Sequence, residues 1–176
     1  MPRALVTAVV LAAVAFACSE PSKPQPEPRK ETTAMDDPLR ALDRHPATTI
    51  TIRYGTEHFG RGQITLTIRG DGAVDVEQRF AGTVTTYAAH LDGKQLAELG
   101  RALADHHFTA PRTSTLPRKP GDTQLVLRLS GPDAPPFETT IWYADRYKDH
   151  DLDAILRIAN DVLYSASGGK LGQPKR

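Results

Sequence analysis

Asp149, Asp151 and Asp153 set three carboxylates at alternate positions, D-x-D-x-D, the spacing with which a calcium loop opens and converges oxygen ligands on one hard cation. Ala154 and Asn160 stand where such a loop needs its glycine and its closing glutamate, and Leu152 to Leu163 carries helical periodicity. The three acids are therefore read as the first turn of a helix, where the dipole favours negative charge. The six histidines (45, 58, 90, 106, 107 and 150) form no H-x-x-x-H pair and have no cysteine partner in the folded region, so no metal or cofactor is assigned. His106 and His107 fall at a helix C-terminus, which suits cationic side chains. G-x-S-x-G is absent, and Ser167-Gly168-Gly169-Lys170-Leu171 lacks the earlier glycine and the following hydroxyl of a phosphate loop. Gly60 and Gly62 read as a turn before a strand, not as a dinucleotide fingerprint. No catalytic residue is assigned; the rival reading is a hydrolase or metal enzyme with a site assembled in space from His58, His90, His107 and loop acids.

The single cysteine, Cys18, directly follows the small-x-small segment Ala15-Phe16-Ala17, and Arg3 with the apolar run Ala4 to Ala17 has the form of a secretion signal. As a helix that run reaches about 21 Å, at ~1.5 Å per residue, short of a hydrocarbon core of about 30 Å. It does not read as a permanent membrane span. Ala15-Phe16-Ala17-Cys18 resembles a bacterial lipobox, with Ala15 and Phe16 where that family usually has Leu and a small residue. The resemblance implies cleavage between Ala17 and Cys18 and acylation of the Cys18 sulfur, giving an exported lipoprotein held in the membrane by its lipid anchor. Ordinary signal peptidase would break the same bond and release a secreted or periplasmic soluble protein. Ser19 after the cysteine resembles outer-membrane sorting, which implies the periplasmic side of the outer membrane in a Gram-negative cell envelope.

The whole chain has 22 basic and 21 acidic side chains; removing residues 1–17 takes away Arg3 and no acid, leaving 21 of each. With no basic surplus and no run of like charge, nucleic acid is not an expected partner. A lone cysteine excludes an intramolecular disulfide, so stability must come from a hydrophobic core.

The chain divides into four segments: 1–17 as signal peptide, 18–46 as a lipid-anchored Pro-rich disordered linker, 47–164 as one domain and 165–176 as a disordered tail. Residues 19–46 hold six prolines and few large apolar side chains, with Leu39 and Leu42 at i, i+3 as the one hint of a helical turn. In the domain, Ile50, Ile52 and Tyr54, then Ile64, Leu66 and Ile68, alternate with polar residues and predict half-buried strands. Asp71-Gly72 turns into a third strand with Val74 and Val76, and Gly82 into a fourth at about 83–90. Asp92 and Gln95 form a capping box ahead of Leu96, Leu99 and Leu103. Strands at about 123–130 and 137–144, joined by GPDAPP, precede a helix with Leu152, Ile155, Leu156, Ala159 and Leu163 on one stripe. The order ββββ-α-ββ-α predicts an α+β two-layer sandwich, an antiparallel sheet of about six strands with both helices on one face.

Such a sheet leaves its second face open. Arg79, Arg128 and Trp142 are expected there, with Tyr87 joining them, as a binding face for a protein partner, since aromatic and arginine side chains carry much of the energy of protein interfaces. In layout, Gly60-Arg61-Gly62, Asp71-Gly72 and LDGKQLAELGRAL resemble small uncharacterised bacterial envelope domains, and a similar plan occurs in the emfourin group of metalloprotease inhibitors. The resemblance implies protein binding, not catalysis. The expected function is a membrane-tethered, non-catalytic binding module of the cell envelope.

Overall fold

The structure, a computed structural model, describes residues 37–113, 121–132 and 134–172. The signal segment, Cys18, the linker up to residue 36 and the residues after 172 lie outside the described residues, and with them the expectations for cleavage and lipidation.

The chain forms α1 (Asp37–Arg40), β1 (Thr49–Thr56), β2 (Phe59–Arg69), β3 (Ala73–Phe80), β4 (Thr83–His90), α2 (Gly93–Asp105), β5 (Gln124–Gly131), β6 (Ala134–Trp142) and α3 (His150–Ala166). The strands make one sheet in the order β4-β3-β2-β1-β5-β6, every neighbour antiparallel. The register aligns Ile52 with Leu66 and Leu127, and Leu66 with Val76, so alternate apolar residues of successive strands share one face. That face is buried with Leu96, Leu99 and Leu103 of α2 and Leu152, Ile155, Ala159 and Leu163 of α3 in a single core. The result is the α+β sandwich that the alternation predicts. Asp92 caps α2 through the expected box: its carboxylate accepts from the Gln95 N–H at 2.8 Å, and the Gln95 side chain accepts from the Asp92 N–H at 2.9 Å.

The domain is larger than the sequence boundaries suggest. Leu39 and Leu42 are fully buried, and a 3₁₀ turn at Leu42–Arg44 follows α1, so residues 37–46 belong to the fold and not to the linker. These leucines reach the core because Gly100 of α2 has no side chain: a Cβ there would meet the Leu39 carbonyl and the Leu42 side chain. At the other end, α3 continues to Ala166, and Leu171 is buried, its N–H donating to Ser167 Oγ at 2.8 Å. Residues 165–172 are thus a packed terminus and not a tail.

The bounds of two strands, β6 and β2, also differ. β6 starts inside the expected GPDAPP loop: it is an edge strand, where alternate N–H groups face away from the sheet, and a register shift against β5 between Leu129 and Gly131 lies opposite Pro135 and Pro136, so the two missing N–H groups are accommodated. It stops at Trp142, and Tyr143–Tyr147 form a 3₁₀ turn. Gly60 and Gly62 lie within β2, opposite a bulge in β1 between Tyr54 and Thr56. Gly62 takes φ +84°, and a Cβ on it would strike the Arg79 carbonyl.

Close packing at Gly100 reverses an ordinary rule. Glycine to alanine inside a helix usually adds about 1 kcal/mol. Here Gly100→Ala is expected to lower the urea unfolding free energy by roughly 1–3 kcal/mol through overpacking against α1. Deleting residues before His45 should remove that penalty.

Candidate functional site

The β1 bulge and the 3₁₀ turn after β6 set two tyrosines side by side at one end of the sheet. Tyr54 and Tyr143 stack with ring centroids 5.4 Å apart and 28° between planes. Together with Arg61 of β2 and Arg146, Arg157 and Asn160 from the α3 side, they line a cleft of about 1120 Å³ between the β1–β2 hairpin and α3. The phenol of Tyr54 is pushed up to about 12, first by burial and then by Tyr143 beside it, against the lowering pull of Arg61 and Arg146.

Arg146 ties this wall together. It donates from Nε to Asp153 Oδ1 at 2.8 Å and from Nη1 to the Tyr143 hydroxyl at 2.6 Å, with its guanidinium 5.2 Å from the centre of the Tyr143 ring. Burial pulls its pKa down, but Tyr143 and Asp153 outweigh that and hold it above the ordinary arginine value. Arg157 meets the other oxygen of Asp153 at 2.8 Å, one helical turn on. The hydroxyl of Thr56, on the cleft's rim, is buried without a hydrogen-bond partner.

The three alternate aspartates do not converge. Asp149 is the N-cap of α3, accepting from the N–H groups of Asp151 and Leu152; Asp151 turns to His106, and Asp153 to the two arginines. This is the capping role expected of the first turn, with two further tasks added. The rival histidine set does not assemble either. His58 lies just before β2 and His90 beyond its far end, paired with Ala73, so the eleven-residue length of β2, about 36 Å at ~3.3 Å per residue, separates them. His107 follows α2 with φ +52°.

A different set does come together. His106 is the C-cap of α2, as its position in sequence suggests, and its Nδ1 lies 3.0 Å from Asp151 Oδ1. His150, the first residue of α3, brings a ligand atom within 4.8 Å of both. Sequence spacing could not reveal the group, because 45 positions separate His106 from Asp151 and only the meeting of two helix ends joins them.

The open face carries Arg79, Arg128 and Trp142 as expected, with Thr65, Thr67 and Thr140 between them. Three of its arginines are paired in place: Arg128 with Glu138 at 2.9 Å, Arg79 with Glu77 at 2.6 Å, and Arg69 with Asp75. Trp142 is half-buried in a shallow groove of about 370 Å³ with Arg53, Gln124 and Val126, which meets the cleft at Gly55, Thr56 and Thr123. Tyr87 is not on this face. The two-residue turn Ala81-Gly82 pairs Phe80 with Thr83, which sets Tyr87 opposite Val76 on the helix side, half-buried against the core.

No protein-family model matches the chain, and no curated protein matches it.

The raised Tyr54 phenol has a consequence at high pH. The folded state keeps a proton that the unfolded chain releases at about 10, so stability is full below pH 10 and falls between pH 10 and about 12, by roughly 1.4 kcal/mol per pH unit at most. Urea unfolding at pH 9.5 and 11.5 should show a smaller drop in Tyr54→Phe than in the native chain. Equal drops would remove Tyr54 as the source.

Proposed function

We propose that the chain is an exported lipoprotein whose α+β domain is a non-catalytic binding module, held in the cell envelope by acyl groups on Cys18 and displayed on its Pro-rich linker. The position of the only cysteine, directly after Ala15-Phe16-Ala17, supports the anchor. Among the described residues no helix is long and apolar enough to cross a membrane. Ser19 favours the periplasmic side of an outer membrane.

The observation that carries the binding reading is the cleft at the sheet's end. Arg61, Arg146 and Arg157 line it against one acid, Asp161, and Asp153, bound to two of the arginines, offsets part of that charge. Tyr54 and Tyr143 add aromatic surface. Arginine and tyrosine are the side chains most often found where a protein interface gains its energy, so the occupant is read as an acidic segment of a protein partner. The resemblance of its sequence layout to the emfourin group would imply protein binding as well. Trp142, in the groove that joins the cleft at its rim, extends this surface onto the open sheet face, with Arg128 beyond it.

Two measurements in cells test the parts separately. Radiolabelled palmitate should enter the wild-type chain and not Cys18→Ser; no label in the wild type overturns the anchor. In envelope crosslinking, Arg157→Ala should reduce capture of the partner by about tenfold or more, an arginine hot spot being worth ~2 kcal/mol. Trp142→Ala with Arg128→Ala should weaken it further, and capture unchanged in all of these variants overturns the proposed surface.

A further inference from the structure

We propose that His106, His150 and Asp151 form a binding site for a divalent transition-metal ion, Zn²⁺ foremost, on the wall of the cleft. The three residues come from the two helix ends that meet there, and each offers one ligand atom within 4.8 Å of the others. In tetrahedral zinc sites, with bonds of about 2.0–2.1 Å, neighbouring ligand atoms stand roughly 3.3 Å apart. His106 Nδ1 and Asp151 Oδ1, in hydrogen-bond contact at 3.0 Å, stand close to that separation, and an ion would replace the proton between them, which leaves to solvent. His150 is exposed, so its side chain is free of packing that would stop it from turning to close the remaining gap.

The other two ligands are held from behind. His106 is fixed as the C-cap of α2, its N–H donating to the Ala102 carbonyl at 3.2 Å, and the Asp151 N–H is bound by Asp149 Oδ1 at 2.9 Å. Both backbones are therefore in place before an ion arrives, which lowers the ordering cost of binding. The carbonyl end of α2 favours a cation while the N–H end of α3 opposes one, so the two helix fields offset each other and the ligand atoms themselves must hold the ion.

Donor chemistry selects the ion. Two imidazole nitrogens and one carboxylate suit zinc and its first-row neighbours, whereas calcium and magnesium require oxygen shells. Three protein ligands leave at least one position open, and both histidines line the cleft, so the open position faces the space where a partner's carboxylate would lie. The metal site depends on neither the lipid anchor nor the partner.

The test uses the full chain carrying Cys18→Ser, which removes the one thiol able to compete for metal. Titration calorimetry with Zn²⁺ should give one ion per chain, and Co²⁺ should give the intense visible absorption of a four- or five-coordinate site. His150→Ala and Asp151→Asn should each weaken Zn²⁺ binding by about tenfold or more, while His90→Ala, remote at the end of β4, should leave it unchanged. Circular dichroism establishes that each variant is folded. Absence of stoichiometric binding, or equal affinity in His150→Ala and the parent chain, overturns the site. None of these readouts involves palmitate or partner capture, so failure here is distinguishable from failure of the envelope-binding reading.

Discussion

A sheet with one apolar face has to be covered, and in this chain that requirement decides most of the architecture. Ile50 and Ile52, Ile64, Leu66 and Ile68, Val74 and Val76, and Leu125, Leu127 and Leu129 all project to the same side, each nearly or fully buried. Burying a single side chain of this kind is worth about 1.5–3 kcal/mol, so the pattern outweighs any surface pairing in the molecule. Two long helices supply most of the cover, and α1 with the 3₁₀ turn after it adds Leu39 and Leu42 to the same core. The opposite face then needs no cover, because its threonines and its Arg–Glu and Arg–Asp pairs are stable in water.

The cleft arises from how the cover ends. α2 stops and α3 starts near the same point, so a helix C-terminus and a helix N-terminus are brought together, with His106 on one and Asp151 on the other. Beside them the β1 bulge and the glycines of β2 bend the end of the two central strands, and Tyr143 leaves the sheet in a 3₁₀ turn to stack on Tyr54. Arg146 and Asp153 then bind the turn to α3. Polar groups gather here because the apolar layer is incomplete, and that leaves arginine, tyrosine and histidine side chains lining one cleft.

Much of the fold was legible in the sequence, because alternation and helical stripes record burial directly: the Ile50 and Ile64 strands, the Asp92 capping box and the α3 stripe all form as their spacing requires. The failures have separate causes. Leu39 and Leu42 are a single pair among prolines and charges, and nothing local signals that Gly100, far along the chain, makes room for them. Pro135 and Pro136 read as loop because the edge position that tolerates them is a property of the whole sheet. Tyr87 was within reach, since a two-residue turn at Ala81-Gly82 fixes its parity against Val76. The histidine and aspartate cluster was not, because it exists only where two helix ends approach.

One face of the sheet is covered and the other open, and thiol labelling measures that contrast directly. In a chain carrying Cys18→Ser, single cysteines at Thr67, Glu77 and Arg128 should react with a charged maleimide at close to the rate of an unfolded control, and cysteines at Leu66, Val76 and Leu127 should be strongly protected. Protection of the first set comparable to the second would mean that the outer face is buried and that the sheet does not have one covered and one open side.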